Sequence, residues 1–135
     1  IIDVFPSHQQ SQVRAQLAFV LEGIVTQTLL PRIKGRGRVL ACEILIATPA
    51  IRALIRDDKV HQIQGSMQAG KKHGMQTLND ALYQLYMGRE VALEECLRVS
   101  SEPNDFLRMV GEPVPGEDEK PLAPKDRPLT GGLKR

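Results

Sequence analysis

The chain has 135 residues, a length that suits one domain with some appended sequence rather than two full domains. Hydrophobic residues make up 41% and charged residues 25%, which excludes a wholly disordered chain, and 4% aromatics with no Trp point to an aliphatic core. Lys and Arg number 18 against 16 Asp and Glu, so the net charge of +2 gives no ground for a nucleic-acid-binding protein.

The opening Ile1-Ile2-Asp3-Val4-Phe5 reads as the last turns of a helix stopped before Pro6. The first residue is neither an initiator Met nor part of a signal peptide, so the chain is expected to begin partway through a larger protein. A helix is predicted from Ser7 or Gln10, with Val13, Leu17, Val20, Leu21 and Ile24 on one apolar stripe. From Ile24 the period changes. Ile24 to Ile33 and Arg38 to Ala47 flank Lys34-Gly35-Arg36-Gly37 and read as a β-hairpin whose glycines supply positive φ. Pro31 marks a strand end or edge. In the second strand Leu40, Cys42, Ile44 and Ile46 share one face, with Glu43 on the other. A lone hairpin is marginal, so it is expected to complete a larger sheet.

Everything after Thr48 reads helical. Thr48-Pro49 is an N-cap and first-turn pair for a helix that buries Ile51, Leu54 and Ile55, with Arg52 and Arg56 projecting together at i, i+4. Val60, Ile63 and Met67 mark the next helix, which ends near Gly70. Thr77 and Asp80 form a capping box ahead of Leu78, Leu82, Leu85 and Tyr86, with Gly88 as C-cap. Leu93, Cys96 and Leu97 lie on another helix, and Ser101 and Pro103 open a last one carrying Phe106, Leu107 and Val110. Residues 111–135 hold five of the nine Pro, with five acidic and five basic side chains, and read as a flexible tail behind a body at 1–110.

Chemistry is sparse. There is no GxxxxGK[ST] phosphate loop, GxGxxG, GxSxG or HExxH in the 135 residues. Cys42 and Cys96 are far apart with no CxxC or Cys/His spacing, which argues against a disulfide scaffold or a structural zinc site. His8, His61 and His73 have no partners at ligand spacing and read as surface groups, so no metal site is assigned. The basic tip of Lys34, Arg36 and Arg38 reads as a solvated turn, and Glu43 as a water-facing or Arg-paired side chain. Arg52 and Arg56 are the most suggestive pair, since two guanidiniums on one helix face suit carboxylate or phosphate partners.

Three strings carry a resemblance. IIDVFPSHQQSQVRAQLAFVLEGIVTQTLLPR (Ile1 to Arg32) resembles the region of type IV pilus retraction ATPases, the PilT-like family, just after their histidine box. GRVLACEILIATPAIRALIRDDKVHQIQGSMQAGKKHGMQTLNDAL (Gly37 to Leu82) continues it. Within that string AIRALIRD (Ala50 to Asp57) resembles the family's AIRNLIRE retraction motif. Ala50, Ile51, Arg52, Leu54, Ile55 and Arg56 match the motif, Ala53 stands for its Asn, Asp57 for its Glu, and Asp58 for the Gly that often follows.

The resemblance covers roughly residues 1 to 100. It implies an α/β fold, the C-terminal part of a RecA-like P-loop ATPase domain, seen here as a hairpin plus about six to seven mostly short helices. It further implies a cytoplasmic homo-hexameric ATPase of the secretion-ATPase superfamily, peripheral at the inner-membrane base of the pilus machine. Its partner there is the pilus inner-membrane platform; no membrane insertion and no nucleic acid are implied. ATP and Mg²⁺ belong to the full-length protein, whose nucleotide boxes lie upstream of the matching segment, so this chain is expected to carry no catalytic or nucleotide-binding residue and to be inactive alone. The retraction motif, Ala50 to Asp57, is the site that transfers. The alternatives are a non-catalytic adaptor using the basic helix face, and a pilus-extension or type II secretion ATPase relative.

Overall fold

The computed structural model describes residues 1–116. A 3-10 turn at Ile2–Val4 precedes α1 (Ser7–Val20), and β1 (Gly23–Pro31) and β2 (Arg38–Ile46) follow. The rest is helical: α2 (Pro49–Arg56), α3 (Ile63–Ala69), α4 (Leu78–Met87), α5 (Leu93–Val99) and α6 (Pro103–Val110), with 3-10 turns at Val60–Gln62 and Lys71–His73. The predicted order of helix, helix, hairpin and five short helices matches. Ile24 is a correction, since it lies on β1, and Val20, which ends α1, is 65% exposed.

The hairpin is antiparallel, with Ile24 opposite Leu45, Thr28 opposite Ala41 and Leu30 opposite Val39. Gly35 and Gly37 take φ of +85° and +100°, a conformation that glycine enters without a Cβ clash. The buried face is the one that carries Glu43. Leu30, Ala41 and Leu45 are buried, whereas Leu40 and Ile46 are exposed alongside Val25 and Leu29. The two faces differ by one register step, and the helices of the described residues pack on the Ala41 side. Gln76 adds a bridge to the open edge of β2, exchanging backbone hydrogen bonds with Ile44 at 2.8 and 2.9 Å while its side-chain amide donates to the Cys42 carbonyl at 2.8 Å.

Two apolar clusters share that inner face. Leu30 and Ala41 meet Ala81 and Leu82 of α4, Val91, Cys96 of α5 and Phe106 of α6. Leu45 joins Ala18 of α1, Ile51 and Ile55 of α2, Met67 of α3 and Met75. Phe106 sits edge-on to Tyr86, with ring centroids 6.4 Å apart. Buried Asn79 ties α4 to the α5–α6 connection: its amide donates to the Glu102 carbonyl at 3.0 Å and its oxygen accepts from Ser100 at 2.7 Å.

The caps follow the sequence. The Thr48 hydroxyl accepts the Ile51 amide behind Pro49, and Thr77 and Asp80 make both halves of a capping box. Gly88 closes α4, but Arg89 after it takes the left-handed backbone, at φ +55°. The last helix begins at Pro103 behind Glu102. The expected tail starts at Gly111; within its described part Val114 is buried, and residues 117–135 lie outside the described residues.

Candidate functional site

The AIRALIRD segment is α2 with its flanks. Burial of Ile51 and Ile55, with Leu54 packed beside them, fixes which side of the helix faces solvent. The two arginines then diverge. Arg52 does not project outward with Arg56: its Nε donates to the Ala47 carbonyl at 2.9 Å and its Nη1 to the Ala18 and Phe19 carbonyls at 2.8 and 2.7 Å. Its Nη2 pairs with Glu22 at 3.2 Å. Ala18 and Phe19 lie in the last turn of α1, where carbonyls lack intrahelical partners and the helix dipole is negative, so a guanidinium is well placed there. Arg56 is 58% exposed and bonds through Nε to Asp57 at 3.1 Å. A shallow hollow of about 190 Å³ between α1 and α2 is lined by Ala15, Ala18, Phe19, Arg52 and Arg56.

The end of α2 is set by the backbone. Asp58 has φ +59° and donates its amide to the Ile55 carbonyl, and the Lys59 amide reaches the Leu54 carbonyl at 2.8 Å. That pair of bonds is a Schellman motif, whose left-handed residue is most often glycine. Asp58 also receives Arg14 Nη2 of α1 at 2.8 Å, so two arginine contacts join α1 to α2, one from the middle of α2 and one just beyond its C-terminal end.

Glu43 is corrected in place and role. It is half-buried on the inner face of β2 and its Oε2 accepts the amide of Leu78, the first residue of α4, at 3.3 Å. Beside it, burial pushes the Asp80 carboxyl up, but hydrogen bonds from Lys71 and from the Thr77 side chain and backbone outweigh this and hold it below its ordinary 3.8. A cleft of about 420 Å³ lies by Asp80, but its charged side chains already pair, Lys71 with Asp80 at 2.6 Å and Arg108 with Asp105 at 2.5 Å. Burial, then the neighbouring Glu95, raises the Cys96 thiol to about 11. His8, His61 and His73 are exposed, as are Lys34, Arg36 and Arg38 at the hairpin tip.

Among curated proteins, the chain is 42% identical over 106 residues to the type IV pilus retraction ATPase PilT of Pseudomonas aeruginosa, covering 78% of this chain and 30% of that protein. The chain is related to the type IV pilus retraction ATPases. It is also 38% identical over 110 residues to the type IV pilus ATPase PilU of the same organism, covering 82% of this chain and 29% of PilU. A twitching motility protein of Neisseria gonorrhoeae is 42% identical over 98 residues, covering 73% of this chain and 26% of that protein. The chain thus spans about three tenths of the length of these relatives, in their C-terminal portion.

The crystal structure of the pilus retraction motor PilT with bound ADP matches at TM-score 0.70 and 47% identity, covering 81% of this chain and 30% of that one. The Legionella pneumophila ATPase DotB matches at TM-score 0.56 and 11% identity, covering 73% of this chain and 26% of that one, which speaks to fold alone. The fold is therefore that of the C-terminal part of a RecA-like ATPase domain, as the PilT-like strings implied. No protein-family model matches the chain.

The sequence carries the family motif legibly but not the partners of its arginines. Ala18, Phe19 and Glu22 lie 30 to 34 positions before Arg52, and no local period links them. Arg14 and Asp58 are 44 positions apart. The one available signal was a Gly position occupied by Asp58, which marks a backbone conformation rather than a charge.

Proposed function

We propose that this chain is the C-terminal portion of a hexameric ATPase that powers type IV pilus retraction, and so twitching motility, with Ala50–Asp57 as its retraction helix. The observation that carries this reading is the AIRALIRD sequence of α2 within a chain 42% identical to a protein named as a retraction ATPase. The protein works in the cytoplasm at the inner-membrane base of the pilus machine, against the inner-membrane platform. Among the described residues no helix is long and apolar enough to cross a membrane, which suits peripheral docking.

ATP and Mg²⁺ serve the full-length protein. The residues of this chain offer the nucleotide no phosphate loop: no GxxxxGK[ST] occurs in its 135 residues. No step of phosphoryl transfer is therefore assigned to this chain, which instead supplies packing and force transmission. A PilU-like ATPase is the second reading, favoured by 38% identity over 110 residues. Deleting the gene in its host tests the proposal. Loss of twitching with surface pili retained, restored by the intact gene, is the expected result; unaltered twitching overturns it.

A further inference from the structure

The two arginines of α2 occupy different worlds, although sequence spacing makes them a pair. Arg52 uses all three of its guanidinium nitrogens on four acceptors, three of them backbone carbonyls, drawn from α1, the segment after it, and the end of β2. Its side chain is 28% exposed, and the acceptors lie within its own chain. Only a planar fork reaches such a set, because a lysine ammonium is a single point on a flexible stem. Arg56 bonds only the adjacent Asp57 among the described contacts and is 58% exposed.

We propose that Arg52 is a positioning residue that locks α2 to the C-terminal end of α1, so that α1 sets the direction in which the exposed residues Ala50, Arg56 and Asp57 are presented. Its functional consequence rests on the reading of α2 as the retraction helix, but the lock itself does not. Two features of the site support a lock over a general packing contact. The guanidinium neutralises the negative end of α1, where the Ala18 and Phe19 carbonyls have no helical partner. In addition, Arg14 of α1 holds Asp58 just beyond the C-terminal end of α2, so loss of Arg52 leaves polar contact between the two helices at that end alone, while Ala18 stays in the apolar cluster with Ile51 and Ile55.

Nuclear magnetic resonance of the 135-residue chain tests the lock through the carbonyl shifts of Ala18 and Phe19, the Arg52 Nε–H signal, and residual dipolar couplings of α1 and α2. In Arg52→Lys, which keeps the charge and loses the fork, both carbonyl shifts move, the α1–α2 orientation changes, and the Leu21 amide exchanges about tenfold faster while Leu82 keeps its protection. Arg56→Ala moves none of these. Unchanged couplings and carbonyl shifts in Arg52→Lys overturn the proposal, and so does an equal response to Arg56→Ala. Should Arg52→Ala fail to fold, Arg52→Lys and Arg52→Gln supply the same readout. In the full-length protein Arg52→Lys is expected to lose twitching. Twitching retained with the helix orientation changed overturns the link to retraction and leaves the gene-deletion result untouched.

Discussion

Arg14 of α1 and Asp58, the left-handed residue that follows α2, are joined at 2.8 Å, so one residue serves as both a backbone stop and an ion-pair partner. The two roles carry different energies. An exposed ion pair contributes under about 1 kcal/mol, whereas left-handed backbone costs a side-chain-bearing residue about 1–2 kcal/mol and glycine far less. Asp58→Gly is therefore expected to be more stable than Asp58→Ala by about 1 kcal/mol in urea unfolding, although both lose the carboxylate. Equal stability of the two variants would show that the backbone conformation at Asp58 is not what limits it.

Local signals are legible in the sequence, and long-range ones are not. The helix, hairpin and cap signals are local, and Thr48-Pro49, Gly35/Gly37 and the Thr77–Asp80 box all appear where the spacing put them. The strand period separated Leu40, Cys42, Ile44 and Ile46 from their neighbours, but a period of two does not say which face is covered. The more apolar face is the exposed one, and Glu43 lies inside because the start of α4 offers it an amide. The fate of Arg52 depends on carbonyls more than thirty residues away, and backbone carbonyls leave no mark in a sequence.

Glu43 of β2 is bonded to the start of α4. Its carboxylate faces the first amide of α4, where negative charge opposes the positive end of the helix dipole. Glu43→Ala is expected to lower stability by about 1 kcal/mol, and Glu43→Gln, which keeps the acceptor and loses the charge, by about half of that. Chemical denaturation at neutral pH measures both. No loss in Glu43→Ala would mean the contact is incidental.

Asp80 sets an acid limit. Its folded-state pKa lies below the ordinary 3.8, so the carboxylate adds stability that is present above that value and is lost as pH falls through the lower folded one. The denaturation midpoint should therefore drop steeply below pH 3.8, and Asp80→Asn should be weaker at neutral pH with a shallower acid slope. Parallel acid slopes for the two proteins would remove Asp80 as the cause.

The two thiols should separate cleanly. Cys96 is 0% exposed with its pKa raised to about 11, while Cys42 lies half-buried on the exposed face of β2. The thiolate is the reactive form, so a disulfide reagent should titrate one thiol in the native chain and two after denaturation. Cys42→Ser should abolish the native reaction. The raised pKa also means that the Cys96 contribution is intact below the ordinary 9.0 and is lost as pH rises towards 11. Native labelling of Cys96 as fast as that of Cys42 would show that α5 opens readily.

Phosphate cradles of the P-loop kind need a glycine-rich loop whose amides converge on the phosphates, followed by a Lys and a Ser or Thr. The Lys34-Gly35-Arg36-Gly37 tip has two glycines and basic neighbours but lacks that sequence, and it joins two antiparallel strands rather than a strand and a helix. Its side chains are exposed, where a phosphate contact competes with water and salt. Calorimetry of MgATP against the 135-residue chain is expected to give no saturable heat at micromolar concentrations, and any weak signal should vanish at high salt. Saturable, salt-resistant binding at micromolar MgATP would refute the assignment of nucleotide chemistry to residues outside this chain.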